Sequence, residues 1–115
     1  MLIRVDPGSN RTIHEQIADA IRGALGRGEV QAGQRLPTSK ELAEATGVNV
    51  HTVLRAYAEL RDEGLIELRP RRGAVVSGSG PSRARLVDEA RSLVSAAQRQ
   101  GLSRADILEL VASQL

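Results

Sequence analysis

The stretch that decides the fold reads TSKELAEATG from Thr38 to Gly47, then NVHTVLRAYAELRDEG from Asn49 to Gly64. Thr38 and the glutamate three residues later form a capping-box pattern that opens a short helix, and the glycine that ends it suits a left-handed turn. Asn49 caps a second helix, which another glycine closes. Two short helices joined by a turn of about three or four residues around a glycine are typical of a helix-turn-helix.

Helical spacing predicts the buried face of each helix. Either Leu54 or Ala56 satisfies the spacing of the second helix, whereas Tyr57 falls within the apolar stripe in both cases and is interpreted as a core residue. The residues expected to face inward are Leu42, Ala43 and Ala45 in the first helix, and Val53, Leu54 or Ala56, Tyr57 and Leu60 in the second.

An earlier helix and a later hairpin complete this unit. The earlier helix opens with a capping box formed by Thr12 and Glu15, and its spacing places Arg22 on the polar side, away from the apolar stripe. After the second helix the pattern changes to two strand-like runs, residues 65–69 and 74–77, on either side of a turn that contains proline and glycine. Three helices followed by a two-stranded hairpin predict a winged helix-turn-helix, a mainly α fold with a small β-hairpin wing.

The C-terminal residues predict a separate helical segment. Residues 77–82, SGSGPS, have the composition of a linker, and two apolar helical patterns follow them. We therefore expect a winged helix-turn-helix DNA-binding domain at residues 1–78 and a C-terminal two-helix dimerisation hairpin at residues 79–115. The alternative is that these helices pack on the earlier helix of their own domain, the one that Thr12 opens. The residues expected at the dimer interface are Leu86, Leu93, Val94, Leu108 and Val111.

Composition argues against several classes of function. The chain has no cysteine, which excludes a disulfide scaffold and a cysteine-ligated metal. It has one tyrosine and no other aromatic residue, so it lacks the stacking platforms of single-strand binders. His14 and His51 fall on different helices with no matching acid pair, so we expect no enzymatic activity, no metal and no cofactor. No apolar run is long enough for a signal peptide or a membrane span, and we expect a cytoplasmic, nucleoid-associated protein.

Several short motifs resemble those of one regulator family. GQRLPTSKELA, residues 33–43, is similar to the G-x-x-LP-S-x-RELA element of GntR-type regulators, and residues 49–66 resemble their recognition helix. GAVV from Gly73 is similar to the end of their wing motif G-x-G-T-F-V, with Arg71 in place of its first glycine. The resemblance covers about residues 11–77, and the short two-helix tail resembles the YtrA subfamily in particular. It implies a dimeric transcriptional regulator, usually a repressor.

The same resemblance implies which residues contact DNA. Residues at the start of the helix that Thr38 opens are expected at backbone phosphates, those of the recognition helix that Asn49 caps at bases, and those of the hairpin tip in the minor groove. At Val50, where many relatives carry arginine or proline, a bidentate guanine contact is unavailable, although valine can touch a thymine methyl. The implied DNA-binding residues are Arg35, Thr38, Ser39, Lys40, Asn49, Val50, His51, Thr52, Arg55, Arg71, Arg72 and Gly73.

Structural roles compete with these assignments. Thr38 and Asn49 also serve as helix caps, and Arg55 has Glu59 four residues further on as an alternative ion-pair partner. The expected partners are double-stranded DNA with a pseudo-palindromic operator and a second copy of the chain; a small-molecule effector stays open, and no membrane is expected. The alternatives in function are a winged-helix protein-interaction module and a regulator gated by a small ligand at the dimer interface.

Overall fold

A computed structural model describes all residues from 1 to 115, which divide into two units, Met1–Arg85 and Leu86–Leu115. The predicted fold class is confirmed, because the chain is mainly helical with one antiparallel two-stranded hairpin. The elements are α1 (Ile13–Gly26), α2 (Ser39–Thr46), α3 (Val50–Asp62), β1 (Ile66–Arg69), β2 (Gly73–Val76), α4 (Gly80–Arg99) and α5 (Arg104–Ala112). None of the helices is long and apolar enough to span a bilayer.

Local signals in the sequence determine where the helices begin and end. Capping boxes form at the starts of α1, α2 and α5, as their sequences predict. The helix-turn-helix is also confirmed: α2 ends at Gly47, whose φ of 74° lies in the left-handed region, and Asn49 Oδ1 accepts a hydrogen bond of 2.8 Å from the backbone N–H of His51. Two residues therefore fix the turn between α2 and α3: Gly47 adopts its left-handed conformation, and Asn49 caps the helix that follows.

The core of the first unit follows the predicted apolar stripes, with one alternative resolved and one residue corrected. Ala56 is fully buried on α3, whereas Leu54 is 46% exposed, because the buried face is centred between Val53 and Leu60 and Leu54 lies a quarter turn away. On α2, Ala45 is exposed because the buried side of that short helix carries Leu42 and Ala43 instead. The largest fully buried side chains are Ile17, Ile21, Leu25, Val53, Leu60, Leu65, Ile66 and Val76.

Arg22 is not on a solvated face, as its spacing predicted, but is buried with 2% exposure. Its guanidinium donates to both carboxylate oxygens of Glu63, at 2.8 and 2.7 Å, and to Asp19 at 2.7 Å. Glu59 lies within 3.3 Å of the same group. Burial alone would lower the pKa of Arg22, but the bond to Glu63 and the surrounding carboxylates outweigh it and raise that pKa above the ordinary value. A buried ion-pair network therefore joins α1 to the end of α3.

The wing comprises β1, β2 and the turn between them, and a third extended segment pairs with it. Strands β1 and β2 pair antiparallel, with Leu68 opposite Ala74. On the other edge of β2, Arg35 bridges to Val75, and the backbone N–H of Leu36 donates to the carbonyl of Ala74 at 2.8 Å. The sequence predicted an extended piece before Pro37 but not its partner. This pairing fixes the backbone of Arg35 beside the wing.

Helix α4 begins earlier than the linker composition suggested. Gly80 is the first helical residue, and a Cβ there would lie 2.6 Å from the carbonyl oxygen of Leu65, so only glycine allows this close approach. Pro81 follows within the first turn, where its missing N–H leaves no helical hydrogen bond unmade. In the second unit, Ala97 is buried and its carbonyl accepts from the N–H of Leu102 at 3.1 Å, which closes the turn before α5.

Candidate nucleic-acid interface

Three elements of the first unit meet at one surface cleft of about 390 Å³, named here the helix–wing cleft. Its position brings the start of the helix-turn-helix, the recognition helix and the wing to a common surface, as recognition of a DNA duplex requires. Lining residues are Thr38 and Ser39 of α2, Leu54 and Tyr57 of α3, and Leu68 and Gly73 of the wing.

A second cleft, of about 310 Å³, adjoins the first and is named here the arginine cleft. Arg35, Arg71 and Arg72 line it, together with Thr38 and Gly73, which also line the helix–wing cleft. None of the three arginines forms a salt bridge within the protein. Three cations without a paired carboxylate give this cleft a positive field that suits phosphate.

Arg69 also lines the arginine cleft, although the list of expected contacts omits it. Its guanidinium pairs with the carboxylate of Glu67, two residues earlier on the same side of β1. The charge of Arg69 is therefore partly balanced within the wing. Its position next to the tip was visible in the sequence as the first of three arginines in four residues, but its pairing was not.

The wing tip carries an unusual backbone conformation. Arg71 is the only residue other than glycine with a positive φ, of 68°, and Gly73 follows at 77°. An L-residue with a side chain pays a steric cost in this region that glycine avoids. Arg71 occupies the place that the resembled motif gives to glycine, so the turn holds an arginine at some cost in backbone strain.

The start of α2 combines helix capping with exposed polar groups. Thr38 Oγ1 accepts from the N–H of Glu41 at 3.0 Å, and Glu41 Oε1 accepts from the N–H of Thr38 at 3.2 Å. The bond from the Thr38 N–H, and next the Thr38 side chain, lower the pKa of the Glu41 carboxyl, with a smaller contribution from the charge of Arg35. Lys40 is exposed and forms no salt bridge. The cap role of Thr38 is thus observed, and Lys40 remains available to an anion.

Tyr57 fixes the distance between α2 and α3. Its side chain is 3% exposed, which confirms the prediction of a core residue, and its hydroxyl donates to the carbonyl of Pro37 at 2.6 Å. Burial raises the pKa of the Tyr57 hydroxyl, so it stays a neutral donor across the physiological range. This bond anchors the residues just before α2 to the recognition helix.

The outer face of α3 presents the remaining expected contacts. His51 and Arg55 are exposed, and Val50 and Thr52 are half-buried. The alternative ion pair from Arg55 to Glu59 is not formed, because Glu59 turns to Arg22 instead. Arg55 lines a different groove, of about 410 Å³, together with His14 and Glu59. The structure therefore separates Arg55 from the two clefts beside the wing.

The expected interface residues of the second unit are all exposed. Leu86 has 65% of its surface exposed and Leu108 58%, and Leu93, Val94 and Val111 lie between 37% and 42%. A cleft of about 260 Å³ within this unit is lined by Val94, Gln98 and Leu108 among others. The structure therefore leaves all five of these apolar side chains open to solvent.

A winged helix-turn-helix with a cationic cleft between the start of α2 and the wing is typical of proteins that bind duplex DNA. The chain belongs to the GntR family of bacterial regulatory proteins, whose family model matches residues 13–76. It is a DNA-binding transcriptional regulator of the YtrA type, and this family consists of regulators rather than enzymes.

Similar proteins extend this assignment over most of the chain. The HTH-type transcriptional regulator Rv1152 of Mycobacterium tuberculosis is 32% identical over 106 residues, which cover 92% of this chain and 88% of that protein. The HTH-type transcriptional repressor YtrA of Bacillus subtilis is 38% identical over 76 residues, 66% of this chain and 58% of the repressor.

Solved structures give the same result for the fold. YtrA from Sulfolobus acidocaldarius, a GntR-family transcription factor, has 32% identity and a TM-score of 0.64, with 96% of this chain and 94% of that chain covered. The DNA-binding domain of AraR in complex with an operator has 26% identity and a TM-score of 0.61, with 66% and 96% covered.

Proposed function

We propose that this regulator binds a pseudo-palindromic duplex operator as a homodimer and represses transcription. Helix α3 enters the major groove and the wing reaches the adjacent minor groove. The observation that carries the proposal is the arginine cleft, where three cations without carboxylate partners adjoin the start of α2 and the wing. The AraR domain, a structural relative, has been solved on an operator, which supports the same use of this fold.

Each group of residues has a distinct part in this complex. Thr38, Ser39 and Lys40 bind phosphate at the start of α2, where backbone N–H groups and the helix dipole favour an anion. Arg35 adds a cation whose backbone is held by its pairing with β2. The residues that face base edges are Asn49, Val50, His51, Thr52 and Arg55, and those that enter the minor groove are Arg71, Arg72 and Gly73.

Dimerisation is assigned to residues 79–115, with residues 1–78 as the DNA-binding domain. The five exposed apolar residues of the second unit support this, because water-exposed leucines gain about 25 cal/mol for each Å² that a partner covers. A symmetric dimer presents two recognition helices to half-sites related by a two-fold axis. The operator is therefore expected to be pseudo-palindromic.

Repression is proposed because the Bacillus subtilis relative is a repressor. A repressor acts where the chromosome lies, so we place this protein in the cytoplasm at the nucleoid. Gating by a small ligand is the second candidate, favoured by the cleft of about 260 Å³ between α4 and α5, which Gln98 and Arg104 make partly polar. Because Val94 and Leu108 also line that cleft, a ligand bound there would compete with the dimer interface.

A salt titration of DNA binding tests the proposal. Fluorescence anisotropy with the DNA upstream of the chain's own gene is measured for the wild type, Arg35→Ala and Arg72→Ala. The slope of log K against log salt is negative, and each lost phosphate contact reduces its magnitude by about 0.9. A dimer loses two contacts, so the magnitude should fall by about 1.8. Arg27→Ala is the matched control, because Arg27 is exposed, pairs with Glu29 and lines neither cleft.

Oligomeric state is tested in the full chain. Leu108→Asp places a charge on the proposed interface, and sedimentation equilibrium should then show a monomer where the wild type is a dimer. A wild type that sediments as a monomer, even when bound to DNA, contradicts the dimer.

In the salt titration, the assigned DNA-binding face is wrong if Arg35→Ala and Arg72→Ala bind DNA as tightly as Arg27→Ala.

A further inference from the structure

Two exposed leucines converge on the helix–wing cleft, and the residues expected to contact DNA include neither. Leu54 of α3 is 46% exposed and Leu68 of β1 is 42% exposed, and both line the cleft. Tyr57 and Ala74 add apolar surface behind them. Single exposed leucines are ordinary, but a pair that converges on a cleft at a binding surface marks a site for an apolar group.

The surroundings of this apolar floor determine the kind of group that fits. Thr38 and Ser39 line this cleft, and the arginine cleft shares Thr38, Arg69 and Gly73 with it. The occupant must therefore carry a small apolar group flanked by anions. Duplex DNA offers one such arrangement in its major groove, where the C5 methyl group of thymine projects beside the phosphate backbone.

We propose that Leu54 reads a thymine methyl group and makes the regulator select thymine at one position of each half-site. This rests on the proposed function, because it requires α3 to lie in the major groove. Val50, four residues earlier, packs against the core and does not line the cleft, so Leu54 is the apolar residue that α3 presents there. A leucine offers no donor or acceptor, so guanine or adenine at this position would lose water from its polar edge without a replacement.

Leu68 and Tyr57 support Leu54 in this role. Both line the same cleft, and the buried Tyr57 hydroxyl is already satisfied by Pro37, which leaves its ring as an apolar wall. A wall on this side keeps the Leu54 side chain over the groove and excludes water from the methyl contact.

Replacement of thymine by deoxyuridine tests the site, because it removes the methyl group and leaves the hydrogen-bonding edges unchanged. Duplexes of the upstream DNA carry deoxyuridine at one thymine pair at a time, placed symmetrically in both half-sites, and anisotropy gives the affinity. One buried methyl group contributes about fourfold in affinity, so the wild type should lose about 15-fold at one symmetric pair of positions. Other positions should show little change.

Variants of the exposed leucine assign the effect. Leu54→Ala should bind thymine DNA more weakly and lose most of the difference between thymine and deoxyuridine. Leu54→Met keeps an apolar side chain of similar volume and should retain that difference. Leu2→Ala is the matched control, since Leu2 is 80% exposed and lines neither cleft.

The outcomes separate this inference from the proposed function. Salt-dependent binding that no deoxyuridine substitution weakens would overturn the thymine site and leave the DNA-binding face intact. An unchanged difference between thymine and deoxyuridine in Leu54→Ala would overturn the assignment to Leu54. Failure of the wild type to bind any duplex would overturn both the proposal and its basis.

Discussion

Replacing Arg71 by glycine should stabilise the protein slightly and weaken its binding to DNA. Arg71 has a φ of 68°, where an L-residue with a side chain costs about 1 kcal/mol more than glycine. Glycine also gives the unfolded chain more freedom, which offsets this gain by about 0.5 kcal/mol. The net gain is about 0.5 kcal/mol, and at about 4 °C per kcal/mol for a chain of this size the Tm should rise by about 2 °C.

Arg72→Gly is the matched control for backbone strain. It removes the same charge from the neighbouring position, which does not have a positive φ. Glycine there relieves no strain and only adds unfolded-state freedom, so the Tm should fall by about 2 °C. Differential scanning calorimetry of the two variants should therefore show Tm values that differ by about 4 °C. This difference is larger than the change in either variant relative to the wild type.

Binding should respond in the same direction for both variants. Each loses a charge-assisted hydrogen bond to phosphate, which contributes about 1.5 kcal/mol, so the affinity for operator DNA should fall about tenfold per protomer. If the two Tm values shift together, the strain argument fails. If Arg71→Gly binds DNA as tightly as the wild type, the side chain of Arg71 does not contribute to DNA binding.

Three further predictions concern the residues that hold the interface in place. Arg22→Met should lower the free energy of unfolding by about 2–3 kcal/mol in urea titrations, less than for a fully buried pair because the stranded carboxylates are a quarter to a third exposed. Tyr57→Phe leaves the carbonyl of Pro37 without its donor and should cost about 1 kcal/mol in the same assay. Hydrogen bonds from Thr38 lower the pKa of Glu41 below its ordinary 4.5, so their stabilisation is complete above that pH and is lost in acid. Thr38→Ala removes the side-chain bond and keeps the backbone N–H bond, so its fall in Tm between pH 7 and pH 3 should be slightly smaller than that of the wild type.

Signals that act within a few residues predicted most of the fold. A capping box spans four residues, and the glycine after α2 adopts the left-handed conformation that ends a helix, so both can be recognised in the sequence without knowledge of the tertiary structure. The hairpin follows from two apolar runs and a turn between them. Long-range partners leave no such local pattern. Arg22 pairs with Glu63, which is 41 residues away in the sequence. This ion pair allows a charged residue to be buried at a position where the helical spacing predicted exposure.

The site shows the same division. Family-like motifs pointed to the start of α2 and to the wing tip, and the structure brings those residues to adjoining clefts. Helical spacing allowed either Leu54 or Ala56 to be buried, and only the packing of α3 on the core resolves that choice. The leucine that the core leaves out is the one that lines the helix–wing cleft. A residue of this kind is found by asking which apolar position the core does not use.

The distribution of charge explains how a chain with a net charge of only +2 presents a cationic face. Most carboxylates are occupied within the protein: some accept from helix caps, as Glu41 does, and others pair with arginines away from the clefts, as Glu63 does with Arg22. Arg69 pairs with Glu67, but Arg35, Arg71 and Arg72 in the arginine cleft have no such partners. Since screening limits the reach of exposed charge to about 10 Å at moderate salt, an approaching phosphate responds to these local cations and not to the distant balance of the whole chain. Internal pairing of the acids is therefore what leaves the face positive.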